Sequence, residues 1–325
     1  MEYVKLGNTG MEVSKLCLGC MGFGEPERGR EKWSIGEAES REVIKKALDS
    51  GINFFDTANL YSAGSSEEIV GKALKDFANR DEIVLASKLY FPMFDGPNAK
   101  GLSRKSIFAE IDHSLKRLQT DYLDLYIIHR WDYDTPIEET MEALHDLVKM
   151  GKVRYIGASS MHAWQFAKAQ FIAEKNGWTK FVSMQNLYNL LYREEEREMI
   201  PLLQDQNVAM TPWSPLAGGR LTRDIGAITA RASQAVQADL PAYIVASDNE
   251  VISRVHKLAD ERGITRGQVA TAWMLSKDYV TSPLTGATKV KYLDDALGAF
   301  EVALSAEEIK YLEEAYVPRN ITGYR

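Results

Sequence analysis

The sequence has little cysteine and no long apolar run, and each shortage excludes a class of protein. Cys17 and Cys20 are the only cysteines in 325 residues, and their C-x-x-C spacing lacks the second ligand pair that a zinc site needs. We interpret them as small residues at the end of a buried strand, and we expect no metal. No stretch approaches the ~20 apolar residues of a membrane helix, and residues 1–5 lack the features of a signal peptide. The sequence therefore predicts a cytoplasmic protein.

Charge of one sign is not concentrated anywhere in the chain. The net charge is −7, and neither half contains a block of like charges. This distribution argues against nucleic acid or a membrane surface as a partner. We expect a small-molecule ligand instead, and the sequence makes no prediction of oligomeric state.

Eight short, apolar, β-rich runs alternate with helical segments along the chain. They span residues 15–19, 53–56, 83–88, 123–129, 154–159, 181–185, 208–213 and 280–286. Their near-continuous hydrophobicity suits strands buried on both faces of a parallel sheet. A doubly wound sheet would usually open with a G-x-G-x-x-G turn, a spacing that Gly19, Gly22 and Gly24 do not have. The sequence predicts an α/β fold, a (β/α)8 TIM barrel, with residues 1–325 as a single domain.

Several segments lie outside this alternation. Residues 3–5 and 12–14 flank a glycine-containing turn, which predicts an N-terminal β-hairpin that closes the bottom of the barrel. Residues 90–103 and 223–249 are too long for tight connections, and we expect both loops to overhang the ligand site. The C-terminal segment from Tyr316 is a further candidate to fold back over the site.

Three helices show the sequence pattern of a capping box at their start. Ser65, Thr135 and Ser305 are each followed by a glutamate three residues later. In this pattern the hydroxyl accepts a hydrogen bond from the first helical turn, so we expect each of these residues to be an N-cap.

Polar side chains stand at the carboxyl ends of the predicted strands, where such barrels carry their reactive groups. A buried lysine is costly unless it is paired, so Asp56 is the predicted partner of Lys88. Tyr61 follows Asp56 by five residues, and a nearby ammonium would lower the phenol's pKa from ~10 towards the range of a general acid. His129 is the only one of five histidines at a strand end, where it is placed to hold a carbonyl oxygen. These four residues are the candidate catalytic group.

The residues around this group resemble a known family. The similarity covers residues 52–61 and 67–71, Lys88, His129 and residues 151–159. In order and spacing, these residues are together similar to the signature of the aldo-keto reductases. The resemblance implies reduction of aldehydes or ketones to alcohols, in which Tyr61 protonates the oxygen with the help of Lys88, Asp56 and His129.

The same resemblance implies a nicotinamide cofactor and the residues that hold it. The carboxamide site is matched by Ser159, Ser160 and Gln185, and the aromatic residue that stacks on the nicotinamide is matched by Trp213. The pyrophosphate loop is matched by Ser214, Leu216, Gly218 and Leu221, and the adenosine end by Gly286, Lys289 and Asp295. Lys289 is the candidate for a 2′-phosphate, so the implied cofactor is NADPH. Tyr292 and Ala296 depart from the family's adenosine site, which keeps NADH as an alternative.

Aromatic residues are the candidates for the substrate pocket. Phe23, Tyr90 and Trp131 are predicted to contact the substrate, with Phe91 and Trp164 nearby, and such a rim favours aromatic or otherwise apolar carbonyl compounds.

Two other functions stay open. Residues 17–26, 129–133 and 192–198 are most similar to the bacterial YajO-type branch of the family. This implies, as an alternative, conversion of a pentose phosphate in a reaction like that of 1-deoxyxylulose 5-phosphate synthase, with Arg130, Lys100 and Arg104 near the phosphate. A non-enzymatic role, as in channel-associated subunits that bind NADPH, is disfavoured because all four catalytic residues are kept.

Overall fold

The computed structural model of the chain describes residues 1–227 and 245–324. Its strands are β1 (Tyr3–Lys5), β2 (Glu12–Ser14), β3 (Cys17–Gly19), β4 (Phe54–Asp56), β5 (Val84–Leu89), β6 (Leu123–Ile128), β7 (Val153–Ser159), β8 (Phe181–Gln185), β9 (Ala209–Met210) and β10 (Leu284–Gly286). The strands β3 to β9 pair in chain order, all parallel, and β10 pairs with β3. The sheet curls until its two edges meet, where the Thr281 N–H donates to the Met210 carbonyl at 2.9 Å and the Leu284 N–H donates to the Pro212 carbonyl at 2.9 Å. The predicted (β/α)8 barrel is confirmed.

The N-terminal hairpin β1–β2 closes the amino-terminal end of this barrel. Leu6 and Val13 are fully buried, and they pack with inward-facing strand residues such as Phe54. Gly7 has φ +58°, and a Cβ there would lie 2.8 Å from the backbone of both β8 and β9. The turn of the hairpin therefore presses directly on the start of these strands, as the sequence predicts.

Helices cover the outside of the sheet. They are α1 (Glu37–Asp49), α2 (Ser65–Phe77), α3 (Arg104–Leu118), α4 (Ile137–Lys149), α5 (Ala163–Asn176), α6 (Met199–Asp205), α7 (Asp248–Arg262), α8 (Arg266–Leu275), α9 (Val290–Gly298) and α10 (Ala306–Glu313). Apolar residues recur at helical spacing on one face of each major helix, as Ile69, Val70, Ala73 and Leu74 do in α2. These faces and the outward-facing strand residues form the larger of two apolar clusters.

One of the three predicted capping boxes is present. Ser305 caps α10, and Glu308 completes the box. The prediction for Thr135 is wrong, because Pro136 occupies the cap position of α4 and the Thr135 hydroxyl donates to Asp132 instead. The prediction for Ser65 is also wrong, because α2 already begins there after Gly64, whose φ of 89° an L side chain rarely adopts.

Two of the three segments that were expected near the site reach the carboxyl ends of the strands. Residues 90–103 follow β5, and the Phe91 ring lies 5.0 Å from the His129 ring. The end of the chain returns to the same face, where the Tyr324 ring contacts His162 at 4.9 Å. Most of the third segment, residues 223–249, lies outside the described residues.

Candidate active site

A buried cluster of Asp56, Lys88 and Tyr61 occupies the carboxyl ends of β4 and β5. The two strands pair so that Asp56 lies beside Ala86, and Lys88, two residues further on, points to the same side. The Lys88 Nζ donates to Asp56 Oδ1 at 2.5 Å, to the Thr57 carbonyl at 2.8 Å and to the Tyr61 hydroxyl at 3.1 Å. The ammonium thus has an acceptor for each of its three protons.

The loop that carries Tyr61 is held in place by the neighbouring strand. The Thr57 N–H donates to the Ala86 carbonyl at 3.0 Å, and the Asn59 N–H donates to the Lys88 carbonyl at 3.1 Å, so the loop continues the pairing of β4 with β5. The Asn59 side chain donates to Glu110 of α3 at 2.7 Å. The phenol is therefore fixed over the barrel mouth with only 8% of Tyr61 exposed.

Burial and neighbouring charges set the protonation states of these groups. Burial opposes the charge of Lys88, but Asp56 and Tyr61 outweigh it and hold the pKa of the ammonium above its usual value. Burial also raises the pKa of the Tyr61 phenol, and the Lys88 charge offsets this only in part. The predicted lowering of the phenol's pKa is thus not found. Tyr61 stays protonated at neutral pH, which is the state that a proton donor requires.

His129 directly follows β6 and faces Tyr61. The two rings meet edge to face with centroids 5.8 Å apart. Burial, followed by the charges of Lys88 and Arg130, holds the pKa of His129 well below its usual value, so the ring is neutral. Its Nδ1 is buried without a hydrogen-bond partner in the described part of the chain. A neutral imidazole here can donate its N–H to a ligand oxygen.

The predicted carboxamide residues lie together at the ends of β7 and β8. The Ser159 hydroxyl donates to the Gln185 carbonyl at 2.7 Å, and the Gln185 amide donates to Asp56 Oδ2 at 2.9 Å. Ser160 has φ 51°, and the Trp213 Nε1 donates to its hydroxyl at 3.3 Å. The structure thus joins these predicted residues to Asp56 through hydrogen bonds.

Sequence reasoning missed a buried polar network behind Ser160. The Ser160 N–H donates to Asn186 Oδ1 at 2.7 Å, and the Asn186 amide donates to Glu195 at 2.5 Å. The Tyr324 hydroxyl also donates to Glu195, which ties the end of the chain to this network. Asn186 was detectable in the sequence because it follows the strand-terminal Gln185 directly. Glu195 and Tyr324 gave no comparable signal.

The remaining predicted cofactor residues follow β9 and β10. Ser214 and Gly218 have φ values of 58° and 66° in the loop after Trp213, and Leu221 is fully buried. Leu216 is partly buried in the same loop. Gly286, Lys289 and Asp295 lie at the end of β10 and along α9, where Gly286 and Lys289 are exposed and Asp295 is partly exposed.

The aromatic residues predicted for the substrate differ in exposure. Phe23 is fully buried in the larger apolar cluster. Tyr90 is half-buried and contacts Phe91 with ring centroids 5.2 Å apart. Trp131 is 7% exposed and lies 6.0 Å from Trp164, centroid to centroid. Tyr90 and Trp131 thus belong to the loops around His129, whereas Phe23 lies beneath the surface.

Cys17 lies on β3, which pairs with β4, and Cys20 directly follows that strand. Cys17 and Cys20 are both buried and free, and burial raises the pKa of both thiols. Within residues 1–227 and 245–324, no cluster of three or more potential metal ligands occurs. In the same ranges, no helix is long and apolar enough to cross a membrane.

Fold and site together define an α/β barrel in which a tyrosine, a lysine, an aspartate and a histidine lie together at the carboxyl ends of the strands. Residues 15–317 match the Aldo/keto reductase family. The chain belongs to this family of oxidoreductases.

Similar proteins come from fungi. Versiconal hemiacetal acetate reductase of Aspergillus parasiticus is 46% identical, with 99% of this chain and 98% of the relative covered. A Schizosaccharomyces pombe protein named provisionally as an aryl-alcohol dehydrogenase is 47% identical, with 99% and 97% covered. A Saccharomyces cerevisiae protein with the same provisional name is 40% identical, with 98% of each chain covered. These relatives support carbonyl reduction. They do not single out the bacterial YajO-type branch that the sequence suggested, so that narrower assignment is corrected.

Proposed function

We propose that the protein reduces aldehydes or ketones to alcohols with NADPH and that Tyr61 is the general acid. The observation that carries the proposal is the 3.1 Å contact between the Tyr61 hydroxyl and the Lys88 ammonium. A protonated phenol beside a buried cation is suited to give up its proton, because the phenolate that remains is stabilised where it forms.

Each residue of the site has a distinct part in this proposal. Neutral His129 donates an N–H to the carbonyl oxygen and orients it. Tyr61 transfers its hydroxyl proton to that oxygen, and Lys88 stabilises the resulting phenolate. Asp56 holds Lys88 in position. When bound, the nicotinamide supplies the hydride that the carbonyl carbon accepts, so the products are an alcohol and the oxidised cofactor.

The residues at the cofactor positions fit a nicotinamide dinucleotide. The Trp213 indole is partly exposed beside Ser160, which leaves part of its ring surface open. Lys289 is exposed at the N-cap of α9, and it forms no ion pair with any described residue. An available cation at the start of a helix is well placed for a phosphate group. We therefore propose NADPH rather than NADH as the preferred cofactor.

The catalytic part of the proposal is tested by following NADPH oxidation with a nitrobenzaldehyde. Tyr61→Phe removes only the hydroxyl, and kcat/KM should fall by roughly 10²–10⁴-fold, the usual contribution of positioned acid catalysis. Tyr3→Phe is the matched control, because the Tyr3 hydroxyl donates to the Gly51 carbonyl in the region of the N-terminal hairpin. Full activity in Tyr61→Phe would show that another group delivers the proton.

The cofactor part is tested by titrating NADPH and NADH against tryptophan fluorescence. Lys289→Ala should weaken NADPH binding and leave NADH binding nearly unchanged, since only NADPH carries the 2′-phosphate. Lys291→Ala removes a second exposed lysine two residues further along and is the control. Equal weakening of both cofactors by Lys289→Ala would rule out the 2′-phosphate assignment.

A further inference from the structure

Arg130 brings a positive charge to the active site without an acidic partner among the residues that the structure describes. Its Nη1 donates to the carbonyl of the preceding residue, His129, at 2.6 Å. Its Nε is buried and has no hydrogen-bond partner in residues 1–227 and 245–324. No carboxylate of the described residues lies within the 4.0 Å of an ion pair with this guanidinium. A partly buried arginine normally has such a partner, because an uncompensated charge is costly to remove from water.

The carboxylate nearest to Arg130 in the chain, Asp132, and the carboxylate of the candidate catalytic group, Asp56, are already engaged. Asp132 accepts hydrogen bonds from the Leu102 N–H at 2.7 Å and from the Thr135 hydroxyl at 2.8 Å. Asp56 accepts from Lys88 and Gln185. In agreement with this, the pKa of Arg130 is lowered by burial, and no carboxylate counters the effect.

The position of Arg130 relates it to the substrate rather than to the cofactor phosphates. It follows β6, whereas the proposed pyrophosphate loop follows β9 on the other side of the barrel mouth. Its guanidinium lies 5.4 Å from the centroid of the Phe91 ring, which in turn contacts the His129 ring at 5.0 Å. The Phe91 ring therefore contacts both the cation and the proposed carbonyl-binding histidine.

We propose that Arg130 determines substrate specificity by binding a carboxylate carried by the carbonyl substrate, with aryl aldehydes that bear an acidic group as the preferred class. This inference rests on the proposed carbonyl reduction. The planar guanidinium can pair with a carboxylate through two N–H donors, and the carboxylate supplies the negative charge that the described residues do not. Phe91 contacts both the guanidinium and the His129 ring, and Tyr90 contacts Phe91, so these are the aromatic side chains available to the ring of such a substrate.

The test compares substrates of nearly equal shape and different charge. The 2-, 3- and 4-formylbenzoates are each assayed against their methyl esters with NADPH, and the ratio of kcat/KM for acid over ester is the readout. In Arg130→Met the ratio for the preferred isomer should fall by roughly tenfold or more, the range of a charged hydrogen bond. Arg130→Lys keeps the charge without the planar fork and should give an intermediate ratio. The ester serves as an internal check that each variant is folded and able to carry out chemistry.

Arg154→Met is the matched control. Arg154 also lies over an aromatic ring, that of Tyr122 at 4.0 Å, but it is exposed near the amino-terminal end of β7, far from the site. Its acid-to-ester ratio should equal that of the wild type. If Arg130→Met lowers kcat/KM equally for the acid and for the ester, Arg130 acts on the chemistry and the specificity proposal is wrong.

Failure of the proposed function can be told apart from failure of this inference. If the wild-type protein reduces none of the aldehydes, binding of benzoate and of methyl benzoate is measured by quenching of tryptophan fluorescence. Preference for benzoate that Arg130→Met abolishes would support the carboxylate site even then. Equal affinity for the two ligands in the wild type would overturn it.

Discussion

Replacement of Asp56 by asparagine should destabilise the protein strongly, because it leaves the Lys88 charge buried and uncompensated. The exposed fractions of the two side chains are 1% and 0%, and Nζ lies 2.5 Å from Oδ1. The other two acceptors of the ammonium, the Thr57 carbonyl and the Tyr61 hydroxyl, carry no formal charge. Removal of one member of a buried ion pair typically costs about 3–5 kcal/mol, which is a large part of the ~5–15 kcal/mol that stabilises a folded protein.

The assay is urea unfolding followed by tryptophan fluorescence. Asp56→Asn should lose about 3–5 kcal/mol, and the double variant Asp56→Asn/Lys88→Met should recover much of this, because it removes the unpaired charge as well. Asp49→Asn is the control: its pair with Lys45 is more than half exposed, and the change should stay within about 0.5 kcal/mol. If Asp56→Asn loses no more than this control, Lys88 is not charged in the folded protein and the proposed role of Asp56 is wrong.

Three further substitutions test the packing and the buried charges. Burial raises the pKa of Glu195 from 4.5 to about 7, so its contribution to the free energy of unfolding is full below pH 4.5 and is lost as the pH rises to about 7. In urea unfolding measured across that window, the wild type should therefore lose on the order of 3 kcal/mol, and Glu195→Gln should not show this loss. Gly71→Ala should destabilise by about 1–3 kcal/mol despite the better helix propensity of alanine, because the new Cβ would lie 2.4 Å from the Leu118 carbonyl oxygen; an unchanged thermal midpoint would contradict the close packing of α2 on α3. Arg117→Met should cost about 3 kcal/mol, since it leaves the fully buried Glu67 without its cation; a loss below 1 kcal/mol in urea unfolding would show that this ion pair does not stabilise the fold.

The barrel was predictable because its strands are buried on both faces and stand out as apolar runs. The ends of two strands were not. The predicted run 208–213 contains only β9. Thr211 and Trp213 still donate to the carbonyls of Met184 and Asn186, but Pro212 has no N–H to donate on the opposite side, where its carbonyl accepts from Leu284. In the same way, Pro283 interrupts the run 280–286, and β10 begins only at Leu284. A proline within an apolar run is the signal that would have shortened both predictions.

The site was predictable where neighbouring strands bring their ends together, and unpredictable where distant loops meet. Asp56 and Lys88 end adjacent strands, so the order of the barrel alone makes them neighbours. Glu195 and Tyr324 are separated by 129 residues, and only the return of the chain end over the strand ends joins them. No spacing or periodicity records such a contact. It depends on the path of the final segment across the finished barrel.

The protonation state of Tyr61 shows why residue types alone could not fix the chemistry. A lysine beside a tyrosine suggests a lowered phenol pKa, but the same burial that makes Lys88 effective also penalises the phenolate. The balance leaves the phenol protonated in the resting site. In the proposed reaction, the Lys88 charge would exert its full effect as proton transfer proceeds, when a negative oxygen forms at the position that the hydroxyl held. Such an arrangement stabilises the developing negative oxygen more than the neutral phenol, and this is what the proposed acid catalysis by Tyr61 requires.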